Sequence, residues 1–82
     1  MPSELEMQNY LKNHKKFRVN VGDKVVVFRT AHNEENGWNN SWPSGMDSSV
    51  GKTLKVEHDY GVSGFYMNDG YSYPYFVLKI LR

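Results

Sequence analysis

The stretch VGDKVVVFR at residues 21–29 decides the fold. A Val-Gly-Asp turn leads there into four consecutive β-branched or aromatic residues, which is typical of a strand. Similar β signals follow at residues 52–58, 62–67, 71–73 and 75–81, mostly separated by turns that contain glycine. Short strands at roughly ten-residue spacing favour a small antiparallel barrel or a strongly bent sheet. The chain is therefore predicted to be mostly β, with about five strands.

A short α-helix is predicted before the strands, within residues 1–16. Ser3 and Glu6 fit a capping box, in which each side chain accepts a hydrogen bond from the other residue's backbone N–H. Residues at the spacing i, i+3, i+4 and i+7 form one apolar face: Met7, Tyr10, Leu11 and His14. About three turns are marginal for an isolated helix. We expect the helix either to dock on residues 17–82, the predicted barrel, or to fray.

Composition excludes several classes of protein. The chain has 82 residues, 39% of them hydrophobic, and no cysteine. A chain of this length forms one domain with a small core. The absence of cysteine removes disulfides, thiolate nucleophiles and cysteine-based metal sites. We therefore expect stability to come from packing, mainly of the two Trp, six Tyr and four Phe side chains.

A long loop is predicted between the first two strands, at residues 30–49. Twenty residues without a clear period are unusual in a compact domain, and such loops are generally functional or disordered. Trp38, Trp42 and Met46 stand four residues apart in it. Two interpretations remain open at this point. Either the loop caps one end of the barrel with these side chains, or it presents them as an aromatic recognition surface.

No pattern of residues predicts catalysis or a cofactor. Residues 45–53 superficially match a phosphate-binding loop, but five residues separate the glycines where that motif needs four, and a strand follows instead of a helix. His14, His32 and His58 do not share a metal-binding spacing. We predict a protein that is not an enzyme, with no cofactor, no metal and no small-molecule substrate.

The net charge of +1 hides an uneven distribution. Residues 1–30 sum to +3, residues 31–51 to −3 and residues 52–82 to +1. Small barrels bind nucleic acid by stacking bases on aromatic rings beside basic residues. The basic residues that would serve this function are Lys12, Lys15, Lys16, Arg18 and Lys52. The near-neutral total weakens this alternative, because phosphate contacts supply most of the affinity of nucleic-acid-binding proteins.

The chain resembles small SH3-like β-barrel modules found in short uncharacterised proteins of bacteriophages and other bacterial mobile elements. The resemblance covers about residues 17–82. It rests on residues 21–27, Trp38, Trp42, Met46, residues 50–52, Val56, residues 64–67 and residues 71–78. The Val-Gly-Asp start and Gly51-Lys52 are also similar to KOW-type barrels. Those barrels have a short basic turn at the place where this chain has a long acidic loop.

This resemblance implies a phage-encoded adaptor or inhibitor that binds a host protein. The alternatives are nucleic-acid binding through the basic helix end and the barrel aromatics, and a structural or assembly subunit of a larger particle. The acidic loop is suited to a basic surface on such a partner. The predicted partner-binding residues are Glu34, Glu35, Trp38, Trp42, Met46, Tyr71 and Tyr73. The polar start and the short apolar runs predict neither a signal peptide nor a membrane span. We therefore expect a cytoplasmic protein in a bacterial host cell.

Overall fold

The computed structural model describes residues 2–81, which form an N-terminal helix followed by a five-stranded antiparallel sheet. The elements are α1 (Glu4–Lys16), β1 (Lys24–Val27), β2 (Thr53–Asp59), β3 (Phe65–Met67), β4 (Ser72–Tyr73) and β5 (Leu78–Ile80). The strand order is β4-β3-β2-β1-β5. The predicted helix, the five antiparallel strands and the long connection between the first two strands are confirmed.

The longest strand, β2, joins the two halves of the sheet. Its first residues pair with β1 and its last residues pair with β3. A bulge between Val56 and His58 interrupts the pairing with β3, and such a bulge bends a strand. β5 returns to pair with the other side of β1. Because β4 and β5 lie at opposite ends of the strand order, the sheet is open.

Two predicted strands begin with 3₁₀ turns instead of strand. The turns are Gly61–Ser63 and Tyr75–Val77, so β3 starts only at Phe65 and β5 only at Leu78. The first turn is bounded by glycines with positive φ, and Pro74 precedes the second. Proline has no N–H to donate to a ladder, and a positive φ does not fit a strand. The prediction of strand at residues 62–63 and 75–77 was therefore wrong.

Helix α1 docks on the sheet. The capping box is present, with Glu6 N–H donating to Ser3 Oγ at 3.2 Å and Ser3 N–H donating to Glu6 Oε1 at 3.0 Å. Tyr10 and His14 on the predicted apolar face are buried. The His14 ring stacks on Phe65 of β3, with ring centroids 4.0 Å apart and planes 11° apart. The predicted apolar face therefore contacts the sheet.

The core lies on one face of the sheet. Directly paired residues such as Val25 and Leu54, or Val56 and Met67, are buried together, while the residues between them are more exposed. Helix α1 and the long connection supply further side chains to the same cluster. The buried hydrophobic residues are Tyr10, Val25, Val27, Ala31, Trp38, Met46, Leu54, Val56, Phe65, Met67, Tyr73, Val77 and Leu78. The opposite face of the sheet carries polar side chains.

Gly37 brings the long connection into direct contact with α1. Its φ is +85°, and a Cβ built on it would lie only 2.0 Å from the backbone oxygen of Glu6. The next residue, Trp38, is fully buried. Only a residue without a Cβ permits this close approach of the two backbones. The helix and the connection are thus packed together at residue 37.

We expect Gly37→Ala to destabilise the domain by about 3 kcal/mol or more, combining left-handed strain of about 1–2 kcal/mol with overpacking of about 1–3 kcal/mol. Gly22→Ala is the matched control, because Gly22 has a φ of +96° but a Cβ added to it would meet nothing within 4 Å. Gly22→Ala should lower the free energy of unfolding only by the amount that comes from left-handed strain. Urea unfolding followed by far-UV circular dichroism measures both, and equal losses would contradict the packing role of Gly37.

Candidate binding groove

Trp38 belongs to the core. Its side chain is fully buried, and its indole Nε1–H donates to the backbone oxygen of Ser63 at 2.9 Å. Gly64 lies against the indole, since a Cβ on Gly64 would lie 2.9 Å from Nε1. The first half of the loop therefore caps the sheet, as the first of the two interpretations requires. Trp38, although predicted to bind a partner, offers no surface to one in the folded domain.

The second half of the loop packs against β4. The Trp42 ring meets the Tyr73 ring edge-on, with centroids 5.6 Å apart and planes 80° apart. Trp42 Nε1–H donates to Asp47 Oδ1 at 2.7 Å, which fixes the orientation of this half-buried indole. Met46 is 1% exposed. Of the predicted partner-binding residues, Trp42 and Tyr73 are therefore in contact with each other, and Met46 is buried.

Tyr73 is held by two short hydrogen bonds and is fully buried. Its hydroxyl donates to Asp69 Oδ2 at 2.6 Å and lies 2.5 Å from the hydroxyl of Ser49, which is itself buried. Burial, together with the hydrogen bond to Asp69, raises the pKa of Tyr73. The hydroxyl thus stays protonated at neutral pH and ties the loop to the turn before β4. Like Trp38, Tyr73 presents no surface to a partner.

An open cavity of about 330 Å³ lies between this half of the loop and the turn before β4. Tyr71 forms one wall, is 37% exposed, and its hydroxyl reaches Gly45. We call this cavity the loop groove. It is lined by Asn40, Ser41, Pro43, Met46, Gly70, Tyr71 and Ser72. Of the predicted partner-binding residues, Met46 and Tyr71 line the groove, and the partly exposed Trp42 lies in the segment that forms one wall.

The two predicted glutamates lie on the segment that leads into the groove. The Glu34 backbone N–H donates to the oxygen of Asn40, a groove residue, at 2.9 Å. Both Glu35 carboxylate oxygens accept from Arg29 Nη2, at 3.0 and 2.8 Å, and Oε1 also accepts from the His32 N–H. Desolvation raises the pKa of Glu35, but the His32 and Arg29 hydrogen bonds outweigh it and lower the pKa overall. Glu35 therefore holds the loop in place as a carboxylate.

The basic residues predicted for nucleic acid do not form one site. Lys12, Lys15 and Lys16 are exposed near the end of α1, and Arg18 follows them with a φ of 54°. Lys52 precedes β2, whereas the opposite end of β2 contacts α1 through Asp59. At about 3.3 Å per residue, the strand separates Lys52 from the helix by roughly 20 Å. The structure thus keeps Lys52 apart from the helix-end cluster.

Five of the residues that line the groove could not be recognised from the sequence as site residues. Asn40, Ser41, Pro43, Gly70 and Ser72 are of the types common in any turn. They become a surface only because the second half of the loop and the turn before β4, about thirty residues apart in the chain, pack side by side. The aromatic residues around them were the signal that pointed to this region.

A larger cavity of about 440 Å³ lies beside α1 and is strongly polar. It is lined by Glu6, Asn9, Asn13, Asn36 and Tyr75, none of them predicted as a site residue. Glu6 is engaged in the capping box, and Asn13 Nδ2 donates to the Asn9 oxygen. Within residues 2–81, no group of three or more His, Cys, Asp or Glu side chains is arranged to hold a metal ion.

Comparison with protein-family models, with curated proteins and with solved structures finds no match. Among residues 2–81, no helix combines the length and the apolar character needed to cross a membrane.

Because Trp38 is fully buried and Trp42 only half-buried, we expect their replacement by alanine to lower the stability of the domain by different amounts. Trp38→Ala should lower the free energy of unfolding by about 3–5 kcal/mol, which approaches the whole stability of a small domain. Trp38→Phe keeps most of the ring volume and should cost less. Trp42→Ala, at a half-buried position, should cost about 1–2 kcal/mol. Denaturant unfolding of the three variants checks the order, and an equal or larger loss in Trp42→Ala would show that Trp38 is not the main anchor of the loop.

The Glu35 carboxylate predicts a pH dependence of stability. Its folded-state pKa lies below the ordinary value of 4.5, so its contribution is present above that value and is lost as the pH falls through the folded value. Glu35→Gln should lower the free energy of unfolding at pH 7 by less than about 1 kcal/mol. The difference between wild type and variant should shrink between pH 7 and pH 3. A difference that stays constant over this range contradicts the role of the charge.

Proposed function

We propose that this domain is a non-catalytic protein-binding module that holds an extended, basic segment of another protein in the loop groove. The observation that carries the proposal is the groove itself, where the partly exposed Tyr71 stands beside Met46 and acidic side chains. Tyrosine and tryptophan are the residues that most often anchor protein interfaces. Trp42 lies in the segment that forms the wall of the groove opposite the turn before β4.

The charges around the groove favour a basic partner. None of the lining residues is basic, whereas Asp47 and Asp69 lie immediately beside them. Asp47 accepts from the Trp42 indole, and Asp69 accepts from the Tyr71 backbone N–H at 3.0 Å as well as from Tyr73. Both carboxylates are exposed and held in position before any partner arrives, which reduces the entropic cost of binding.

The shape and polarity of the groove favour an extended segment. Its two walls are a loop and a turn, and they carry the polar side chains of Asn40, Ser41 and Ser72. These amide and hydroxyl groups can hydrogen-bond to the backbone of a partner chain. The ring of Tyr71, which is 37% exposed, would contact an apolar side chain between the partner's basic residues. Concave sites commonly combine an apolar surface with a few polar groups in this way.

We further propose that the sheet belongs to the SH3-like class. The strand order, the bulge in β2, the long connection between β1 and β2 and the 3₁₀ turn before β5 support this assignment. The sequence resemblance over residues 17–82 supports it as well. On the same resemblance, the module is an adaptor or inhibitor of the kind that bacteriophages encode, acting on a host protein in the bacterial cytoplasm.

Binding of peptides from a random 12-residue library displayed on messenger RNA tests the proposal. The selected peptides should be enriched in Lys and Arg around one apolar residue. Tyr71→Ala should weaken their binding by at least about 2 kcal/mol, the level of an interface hot spot. Asp47→Asn keeps an acceptor for the Trp42 indole but removes the charge, and it should reduce the salt dependence of binding.

The matched control is Tyr60→Ala, because Tyr60 is also an exposed tyrosine, at 52%, but lies outside the groove. This variant should bind the selected peptides as the wild type does. Selection of acidic peptides, or a loss of binding in Tyr60→Ala without a loss in Tyr71→Ala, would overturn the proposal.

A further inference from the structure

The face of the sheet opposite the core remains uncovered. Its side chains alternate along each strand with the buried ones, and α1 and the long connection both pack on the other side. We call this surface the outer face. It carries Lys24, Val26, Thr53, Lys55, His58, Tyr66 and Lys79.

Three lysines concentrate positive charge on the outer face. Lys24 of β1 is directly opposite Lys55 of β2, and Lys79 of β5 is paired with Val26, two residues beyond Lys24. Like charges directly opposite each other destabilise a sheet. Within residues 2–81, none of the three ammonium groups forms an ion pair. Glu57, at the bulge in β2, is an opposing charge on this strand, so the patch keeps an excess of two positive charges.

An aromatic cluster adjoins these lysines. His58 and Tyr60 stack with ring centroids 5.7 Å apart and planes 13° apart, and Tyr66 packs against both at 6.0 and 5.6 Å. His58 is three residues beyond Lys55 on β2, which is roughly 10 Å along the strand. Tyr60, the most exposed of the tyrosines, is 52% accessible. The cluster therefore leaves aromatic surface free beside the basic patch.

We propose that the outer face binds single-stranded nucleic acid. Bases would stack on the cluster of His58, Tyr60 and Tyr66 while the lysines contact the phosphates, which is how single strands are bound without sequence preference. An acidic protein segment would satisfy the lysines but would not use the exposed ring surface. A duplex keeps its bases stacked inside and would not reach the rings either. The loop groove is not involved.

The test is fluorescence anisotropy with fluorescein-labelled dT12 and rU12 over a series of salt concentrations, with a twelve-base-pair duplex for comparison. Three phosphate contacts predict a slope of about −2 in log K against log salt for the single strands. Lys24→Gln combined with Lys79→Gln should bring this slope to about −0.7. Lys12→Gln combined with Lys15→Gln on α1 removes the same charge elsewhere and should leave the slope near −2.

The stacking contact is tested separately. Tyr60→Ala should weaken binding of both single strands by about tenfold or more without changing the salt slope, since base stacking is worth roughly 1–3 kcal/mol per base. Tyr71→Ala, which alters the loop groove, is the matched control and should bind as the wild type does. Because the two tyrosines serve different surfaces, failure of one proposal leaves the other standing.

Three results would overturn the inference. The first is that neither single strand binds at about 10 mM salt. The second is that the salt slope falls in the Lys12→Gln, Lys15→Gln variant and not in the Lys24→Gln, Lys79→Gln variant. The third is that the duplex binds as tightly as the single strands. Far-UV circular dichroism of each variant verifies folding, and all the substituted positions carry exposed side chains.

Discussion

The structure depends on the burial of the Trp38 indole and on two glycines, Gly37 and Gly64, that allow close packing around residue 38. Gly37 allows the connection to touch the backbone of α1, and Gly64 leaves room for the indole beside β3. The hydrogen bond from Nε1 to Ser63 satisfies the polar atom of an otherwise fully buried ring. Residues 37 and 38 together thus join the helix, the long connection and the sheet. With residue 38 held there, residues 40–49 reach β4 and form the loop groove.

Helix α1 is held by a chain of polar contacts inside an aromatic layer. The Tyr75 backbone N–H donates to the Tyr10 hydroxyl, which lies 3.2 Å from His14 Nδ1, while His14 Nε2 lies 2.7 Å from Asp59 Oδ1. The Tyr10 hydroxyl and both ring nitrogens of His14 therefore all have hydrogen-bond partners. Packing and hydrogen bonding therefore account for the burial of this histidine. Because the helix covers the core side of the sheet, the opposite face stays open.

Local patterns in the sequence predicted the local structure well. The Ser3 and Glu6 capping box and the strand alternation around Val25 depend on residues a few positions apart, and both are present in the fold. The spacing of four between Trp38 and Trp42 did not show which ring is buried. That outcome depends on Gly37 and Gly64 meeting distant backbone, and no local pattern records such an approach. Likewise, Lys24 lies opposite Lys55 because of the register between β1 and β2, and the whole long connection separates these two strands in the chain.

The near-neutral charge of the chain is an average over surfaces of opposite sign. The loop groove has Asp47 and Asp69 at its edge and no basic lining residue, whereas the outer face has three lysines against Glu57. A net charge of +1 argues against nucleic-acid binding only if the charges are mixed evenly. In an antiparallel sheet, one face is buried and the other collects the polar residues of every strand. The fold itself therefore gathers lysines that lie up to 55 residues apart in the chain, and it places them away from the acidic connection.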